Sequence, residues 1–181
     1  MADNPYFATI ENPRLRVELQ PQWHTASLRY FARESAFARM ISAATGLNVP
    51  TELRAAHDAD DAKEAVTLLA WRNPTETILV TRDAGLLDSL QTSAASLDDG
   101  CLIDQTSGLL VLRAHGPAVV DLLARKAGHG AMPAIGESRR ARFAESAVLF
   151  VKVRADELLL IVDRIYAPHL MASIRVSAAD L

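Results

Sequence analysis

The chain has 181 residues, of which 50% are hydrophobic and 23% are charged, so it can bury one substantial core or two small lobes. The net charge of −3 at pH 7 argues against a nucleic-acid partner, because phosphate binding needs a concentrated basic surface. The apolar runs are shorter than the roughly 20 residues that span a bilayer, and the first residues do not resemble an export signal. We therefore expect a cytoplasmic protein without membrane contact.

The first part of the chain predicts two strands and one helix. Residues 15–20 alternate apolar with polar side chains, as a half-buried strand does, and residues 26–32 are a second strand candidate. Apolar residues on one face predict a helix over 35–45, and Gly46 is placed to end it. The polar segment 47–64 that follows is interpreted as a surface loop.

A β-hairpin and a helix are predicted next. Two runs rich in Val, Leu, Ile and Thr flank an Asn-Pro turn within residues 66–81, which is typical of a hairpin. Trp71 near its tip is interpreted as a packing or subunit-contact residue. A helix is predicted over 83–96, with Asp83 at its start. The sequence "LDDG" then links two lobes, which we expect to meet near residues 97–101.

The second half repeats the element types of the first. Pro117 is expected in the first turn of a helix and Gly128 just beyond its end, while Asp163 is expected to cap the last helix. The predicted elements are strands at 101–106 and 108–116, a helix at 117–127, a hairpin at 146–162 and a helix at 166–178. Hairpins combined with helices predict antiparallel sheets with helices on one face, an α+β fold of two similar lobes within one domain, 1–181.

The stretch "AHGPAVV" raises the question of a nucleotide site, because it places a glycine between a strand and a helix. A dinucleotide site requires a Gly-x-Gly-x-x-Gly pattern, whereas Gly116 stands alone before Pro117. The proline also removes a backbone N–H from the helix start, which weakens it as an anion cradle. We therefore predict no cofactor-binding residue in this chain.

The residues that commonly bind metals are scattered along the sequence. No close His or Cys spacing is present among the histidines, which are His24, His57, His115, His129 and His169. The acidic cluster Asp58, Asp60 and Asp61 lacks EF-hand spacing, so a solvated loop is preferred over a cation site. Cys101 is the single cysteine of the sequence, so an internal disulfide is ruled out. We expect Cys101 to be a buried structural thiol. We predict no metal ligand in this chain.

Three further polar groups have both a structural and a functional interpretation. His115 could be catalytic, but a local hydrogen bond in a turn is the preferred interpretation. Asp121 and Arg125 have the i, i+4 spacing of a surface ion pair. A basic group surrounds the loop "GHGAMPAIGESRR" and is either solvated or a contact with an acidic partner surface; it consists of Arg125, Lys126, Arg139, Arg140 and Arg142. No catalytic residue is predicted.

Four stretches together resemble the gamma subunit of heterotetrameric sarcosine oxidase over about residues 15–176. That family shows a Leu-Arg strand with a Gly-Leu-x-x-Pro exit and a Trp-containing strand with a proline turn. It then shows an Asp-x-Ser/Thr strand start, a Gly-Pro helix with Leu-Leu, and an Asp-Arg-x-Tyr/Phe-Ala helix entry. The matching stretches are "SLRYFARESAFARMISAATGLNVP", "LLAWRNPTETILVT", "LIDQTSGLLVLRAHGPAVVDLLARKAG" and "RRARFAESAVLFVKVRADELLLIVDRIYAPHLMASI". The family is distantly similar to the folate-binding fold of aminomethyltransferases, including the glycine-cleavage T-protein.

The resemblance implies a non-catalytic structural subunit of a flavin-dependent complex that oxidatively demethylates sarcosine, with folate as one-carbon acceptor. It implies no cofactor in this chain. The alpha subunit would handle NAD and tetrahydrofolate, the beta subunit would oxidise the substrate at a covalent flavin, and the delta subunit would hold zinc. FAD, FMN, NAD, tetrahydrofolate and zinc are thus expected in the partner subunits.

Three departures from the family keep alternatives open. The sequence is on the short side for the family, which suits N-methylglutamate dehydrogenase. The chain lacks the family's tryptophan near the C-terminus, and "GHGAMPAI" replaces the usual Leu-Asp-Leu-x-Pro after the Gly-Pro helix. The equivalent subunit of N-methylglutamate dehydrogenase is therefore the first alternative. A free-standing folate-binding aminomethyltransferase and a stand-alone binding module are alternatives of another class.

Overall fold

The computed structural model describes residues 5–58, 66–127 and 129–181. The chain divides into two compact units. The central unit is Gln22–Thr106, and the outer unit combines the residues up to Pro21 with Ser107–Leu181. No helix among the described residues is long and apolar enough to cross a membrane.

The described residues form eleven strands, four α-helices and two short 3-10 turns, Pro5–Phe7 and His129–Ala131. In chain order the strands and α-helices are β1 (Ile10–Asn12), β2 (Leu15–Leu19), β3 (His24–Tyr30), α1 (Ala36–Thr45), β4 (Ala55–His57), β5 (Thr67–Asn73), β6 (Glu76–Thr81), α2 (Ala84–Ala94), β7 (Gly100–Asp104), β8 (Leu109–His115), α3 (Val119–Ala127), β9 (Ser138–Phe143), β10 (Ser146–Arg154), β11 (Glu157–Asp163) and α4 (Ala167–Ala178).

The central unit is an antiparallel five-stranded sheet with the order β4-β5-β6-β3-β7. Its core is formed where α1 and α2 pack on one face of the sheet. Alternate residues of β3, such as Ala26, Leu28 and Tyr30, contribute to this core together with helix residues such as Phe37 and Leu90. Without the edge strand β4, the remaining elements form the β-α-β-β-α-β arrangement typical of ferredoxin-like folds.

The outer unit has a six-stranded antiparallel sheet with the order β1-β2-β8-β11-β10-β9. Its core lies between this sheet and helices α3 and α4, and includes Val17, Leu112, Phe150, Leu122 and Leu170. The succession β2-β8-β11-β10-β9 has the same topology as β7-β3-β6-β5-β4 of the central unit. The two units are therefore similar, except that the position of β7 is taken in the outer unit by β2, which comes from an earlier part of the chain.

Most predicted elements are confirmed, and so is the α+β class with antiparallel sheets. The hairpins over 66–81 and 146–162 are β5-β6 and β10-β11. Helix α1 begins at the N-cap Ser35, whose side chain accepts a hydrogen bond from Ala38 N–H at 3.0 Å. It ends at Gly46, which is left-handed with φ 70°. Asp83 caps α2 in the same way as Ser35 caps α1.

The predicted boundary between the two similar parts is corrected. We expected it near 97–101, but the units divide after Pro21 and after Thr106. The physical reason is strand pairing: β7 lies beside β3, with Ala26 opposite Asp104 and Tyr30 opposite Gly100. The strand at 101–106 therefore completes the first sheet and does not begin the second.

Short strands and helix starts also differ from the predictions. β4 lies within the segment predicted as a loop, and β1 was not predicted; three residues are too few for a periodic pattern. Helix α3 begins at Val119, two residues after Pro117. Asp163 does not cap α4: the N-cap is Tyr166, without a side-chain hydrogen bond, and Asp163 ends β11. The prediction for Gly128 falls outside the described residues.

Candidate functional site

The Gly-Pro turn is a structural joint between β8 and α3. Gly116 has φ 121°, and a Cβ at this position would lie 2.4 Å from the carbonyl oxygen of Arg14. Its N–H donates to the carbonyl of Asp156 at 2.9 Å, and the N–H of Ala118 donates to the carbonyl of Arg14 at 3.1 Å. Because protein carbonyls use these N–H groups, the turn does not fit a phosphate.

The predicted ion pair on α3 is replaced by contacts to neighbouring segments. Asp121 pairs with Arg14 at 3.4 Å. Arg125 donates to the carbonyls of Ser177 at 3.3 Å and Asp180 at 3.1 Å. The prediction of an Asp121–Arg125 pair was therefore wrong, because both side chains reach segments that pack beside α3. These contacts join the helix to the β1–β2 turn and to the end of α4.

The structure divides the predicted basic group among several neighbours. Arg139 lies 3.4 Å from the carboxylate of Glu137, and Arg142 lies 2.6 Å from that of Glu145. Along β9, Arg140 is exposed and points away from the face that carries Arg139, because side chains alternate along a strand. Two of the five basic side chains, those of Arg139 and Arg142, are therefore paired with carboxylates of the outer unit.

The predicted metal-binding candidates do not meet within the described part of the chain. There, His, Cys, Asp and Glu side chains form no group of three that could hold a metal ion. Asp58 accepts hydrogen bonds from the N–H groups of Val66 at 2.7 Å and Thr67 at 3.0 Å, so it closes a loop. Asp60 and Asp61 lie outside the described residues, as does the side chain of His129.

The other histidines occupy separate positions. His24 begins β3 and His57 ends β4, where its Nδ1 is buried. His115 is half-buried at the end of β8, opposite Glu157 of β11 in the strand register. His169 Nε2 lies 3.0 Å from the carbonyl of Ala144. These histidines therefore do not combine into a site.

Cys101 is exposed, so the prediction of a buried thiol is corrected. It lies on β7, an edge strand of the central sheet. Its neighbour Leu102 packs against the core of the central unit, and consecutive side chains of a strand point to opposite faces. The apolar neighbours of Cys101 in sequence therefore did not indicate where its own side chain points.

The most exposed large apolar side chain among the described residues is Phe31, which is 93% exposed. It follows β3 directly and lines two neighbouring hollows of about 390 Å³ and 430 Å³, which also share Tyr30. Trp71 and Pro74 line the second hollow, and Cys101 lines the first. We call Phe31 and the walls of these two hollows the Phe31 surface, and it is the candidate functional site of the central unit.

Hydrogen bonds hold the backbone beneath the Phe31 surface. The N–H of Tyr30 donates to the carbonyl of Thr75 at 3.2 Å, and its hydroxyl lies 2.6 Å from that of Thr77. Burial raises the pKa of Tyr30 above its ordinary value of 10.0, although the hydrogen bond to Thr77 and the charge of Arg33 act in the opposite direction. The strand end that presents Phe31 is thus fixed to the β5–β6 turn.

A buried carboxylate organises the same turn. Glu76 is 7% exposed and accepts hydrogen bonds from Ser27 Oγ at 2.6 Å, Arg72 at 3.1 Å and Asn73 at 2.9 Å. Hydrogen bonds to a charged group are stronger than neutral ones. Glu76 therefore fixes the hairpin tip that forms part of the Phe31 surface.

The rim of the Phe31 surface is acidic. Four carboxylates line the two hollows against two guanidinium groups, a formal balance of −2; they are Glu34, Glu52, Asp98 and Asp99 against Arg29 and Arg33. Asp99 accepts hydrogen bonds from the first N–H groups of α1, those of Ala36 and Phe37. The surface thus combines an exposed aromatic ring with a negatively charged surround.

Sequence reasoning predicted a contact role for Trp71 but missed Phe31. The signal that could have found it is the period of β3, because Ala26, Leu28 and Tyr30 face the core. The next residue in an alternating pattern faces away, so an aromatic residue at position 31 is out of phase with the core.

Comparisons with solved structures place this fold among known ones. A chain of the heterotetrameric sarcosine oxidase from Corynebacterium sp. U-96, in complex with pyrrole 2-carboxylate, matches with a TM-score of 0.81 and 20% identity, over 96% of this chain and 88% of that chain. The glycine cleavage system aminomethyltransferase T from Bartonella henselae matches with a TM-score of 0.60 and 11% identity, over 89% of this chain and 45% of that one.

A third match is to aspartokinase alpha and beta subunits, with a TM-score of 0.50, 11% identity and coverage of 91% and 97%. No family model and no curated protein matches the sequence. At these identities the likeness concerns the fold. The chain is thus an α+β protein with the fold of a heterotetrameric sarcosine oxidase chain, and the resemblance noted in the sequence is confirmed at that level.

Proposed function

We propose that this chain is a structural, non-catalytic subunit of a flavin-dependent amine-oxidising complex of the heterotetrameric sarcosine oxidase type, in the position of the gamma subunit. The observation that carries the proposal is the nearly end-to-end structural match to one chain of that oxidase, 96% of this chain and 88% of the other. The match to the aminomethyltransferase covers only 45% of the larger chain. A match over most of both chains favours the role of that oxidase chain over the role of the aminomethyltransferase.

In this proposal the partner subunits carry the chemistry. The alpha, beta and delta subunits hold FAD, FMN, NAD, tetrahydrofolate and zinc, and the complex works in the cytoplasm. Within this chain, the turn at Gly116 supports the assignment, because its N–H groups bind the carbonyls of Arg14 and Asp156 instead of a phosphate. The chain itself contributes a folded scaffold and surfaces for partner contact.

The test is purification of the tagged chain from its native cells, followed by mass spectrometry and a flavin absorbance spectrum. We expect stoichiometric partner subunits and a flavin spectrum, with neither in cells that carry only the tag. Turnover of sarcosine against N-methylglutamate by the purified complex then identifies the amine substrate. Faster turnover of N-methylglutamate would change the proposed complex from a sarcosine oxidase to an N-methylglutamate dehydrogenase.

The isolated chain distinguishes the remaining alternatives. If the tagged chain emerges alone, colourless and monodisperse, the subunit proposal is wrong. Calorimetric titration with tetrahydrofolate then distinguishes two alternatives. A saturable binding heat indicates a folate-binding aminomethyltransferase-like protein, and the absence of a binding heat indicates a binding module for another ligand.

A further inference from the structure

Exposure of one apolar side chain does not by itself define an interaction surface, because single exposed apolar residues are common. The case for Phe31 rests on what surrounds it. Phe31 is 93% exposed and lines two hollows whose volumes are about 390 Å³ and 430 Å³. An exposed aromatic residue that lines two hollows resembles the anchor of a protein interface, where aromatic residues fill a pocket of the partner.

The backbone that presents Phe31 is held in place before any partner binds. Tyr30 N–H is bonded to Thr75, its hydroxyl to Thr77, and the turn beside it is fixed by the buried carboxylate of Glu76. A preorganised anchor loses little conformational freedom on binding. This arrangement favours binding to a structured partner.

The acidic rim favours some binding partners of the Phe31 surface over others. Two copies of this chain that met through the Phe31 surface would bring like charges together, which is unfavourable. Folate is an anion, and a carboxylate-rich rim repels it for the same reason. A partner with basic side chains around an apolar pocket gains from both the ring and the rim.

We infer that the Phe31 surface docks onto another subunit of the complex, with the Phe31 ring in an apolar pocket of that subunit and Lys or Arg side chains of the same subunit against the acidic rim. The inference rests on the proposed function, which supplies the partner.

The experiment measures rebinding of the full chain to the partner subunits recovered from the wild-type complex. Phe31→Ala is expected to weaken binding about 30-fold or more, as for an interface anchor. Ile165→Ala is the matched control, since Ile165 is 77% exposed in the outer unit. Circular dichroism and urea unfolding of both variants check that the exposed substitutions leave the fold intact.

The acidic rim is tested with separate variants. Removal of two rim charges in Glu52→Gln with Asp98→Asn is expected to slow association about 3- to 10-fold at low salt and to reduce its salt dependence. Asp88→Asn removes an exposed charge on α2 that lines neither hollow, and this variant is expected to bind as the wild type does. Faster association of the rim variant would overturn the basic-partner assignment.

The outcomes separate this inference from the proposed function. If wild-type chain rebinds the flavin subunits and Phe31→Ala rebinds within twofold of it, the docking surface is wrong and the subunit role stands. If the wild-type chain carries no partner subunit, both proposals fall. Sedimentation of the isolated chain provides a further check: a dimer that Phe31→Ala converts to a monomer would assign the surface to a second copy and overturn the inference.

Discussion

Gly116→Ala is the substitution with the most direct structural argument. An added Cβ would lie 2.4 Å from the carbonyl oxygen of Arg14 and 3.1 Å from its carbonyl carbon. Both contacts are with backbone, so no side-chain rotation can relieve them. The residue would also have to keep φ at 121°, in a region that L side chains rarely adopt.

The expected cost follows from two contributions. Holding a non-glycine residue in such a backbone conformation costs about 1–3 kcal/mol. Moving Arg14 away lengthens the 3.1 Å hydrogen bond from Ala118 N–H, whose loss costs about 1 kcal/mol. We therefore expect Gly116→Ala to lower the free energy of unfolding by about 3 kcal/mol, which corresponds to a Tm lower by about 6–12 °C for a chain of this size.

The assay is urea and thermal unfolding followed by circular dichroism, with Gly136→Ala as the matched control. Gly136 also has positive φ, 75°, but an added Cβ there has no atom within 4 Å. Its substitution is expected to cost about 1–2 kcal/mol, the backbone contribution alone. If Gly116→Ala is no more destabilising than Gly136→Ala, the close approach of Arg14 is not what requires glycine in this turn, and the argument is refuted.

Three further predictions concern the central unit. Gly100→Ala places a Cβ 2.4 Å from the buried ring of Phe37 and is expected to cost about 1–3 kcal/mol in urea unfolding; Gly130→Ala, with open space around it, is the control, and equal effects would contradict the packing argument. Glu76→Ala removes the acceptor of three hydrogen bonds and is expected to cost about 3 kcal/mol, with a smaller loss for Glu76→Gln; a loss below 1 kcal/mol would disprove its role in the hairpin tip. Burial raises the pKa of Tyr30 above 10.0, so the unfolded chain releases the phenol proton first as pH rises. The free energy of unfolding of the wild type is therefore expected to fall above pH 10 more steeply than that of Tyr30→Phe. Parallel stability curves would show that burial does not perturb this phenol.

Local signals predicted the elements whose ends are fixed by nearby residues. Ser35 and Asp83 cap their helices through hydrogen bonds that span three residues, and Gly46 adopts the left-handed conformation expected of a C-cap. The Asn-Pro turn likewise joins two strands that pair with each other. Because these interactions join residues that are close in sequence, they can be predicted from a single sequence.

Long-range partner choice was not predictable in this way. Asp121 has the spacing for a pair with Arg125, yet it pairs with Arg14, which is 107 residues away in sequence. On the sheet of the outer unit, Arg113 lies 2.9 Å from Glu157 and 4.0 Å from Glu18. Such contacts depend on which strands become neighbours, and that is decided by the packing of the whole unit.

The features of the candidate site also fall into those that local sequence predicts and those that depend on the fold. The sequence indicated the hairpin around Trp71 and excluded a nucleotide motif at Gly116, because both depend on short patterns. The exposure of Phe31 and Cys101 was missed because their neighbours in sequence are apolar. Both side chains lie out of phase with core residues, Tyr30 and Leu102, and that assignment requires knowing which face of each strand packs against the core.

The sequence by itself determined the α+β class, most of the helices and hairpins, and the resemblance to a sarcosine oxidase subunit, because periodicity, caps and motif order are properties of the linear chain. Only the tertiary structure decided that the strand at 101–106 completes the first sheet and that β2 completes the second. Which distant segments pair as strands depends on the free energy of burying the apolar side chains of both cores. The Phe31 surface is a consequence of that pairing.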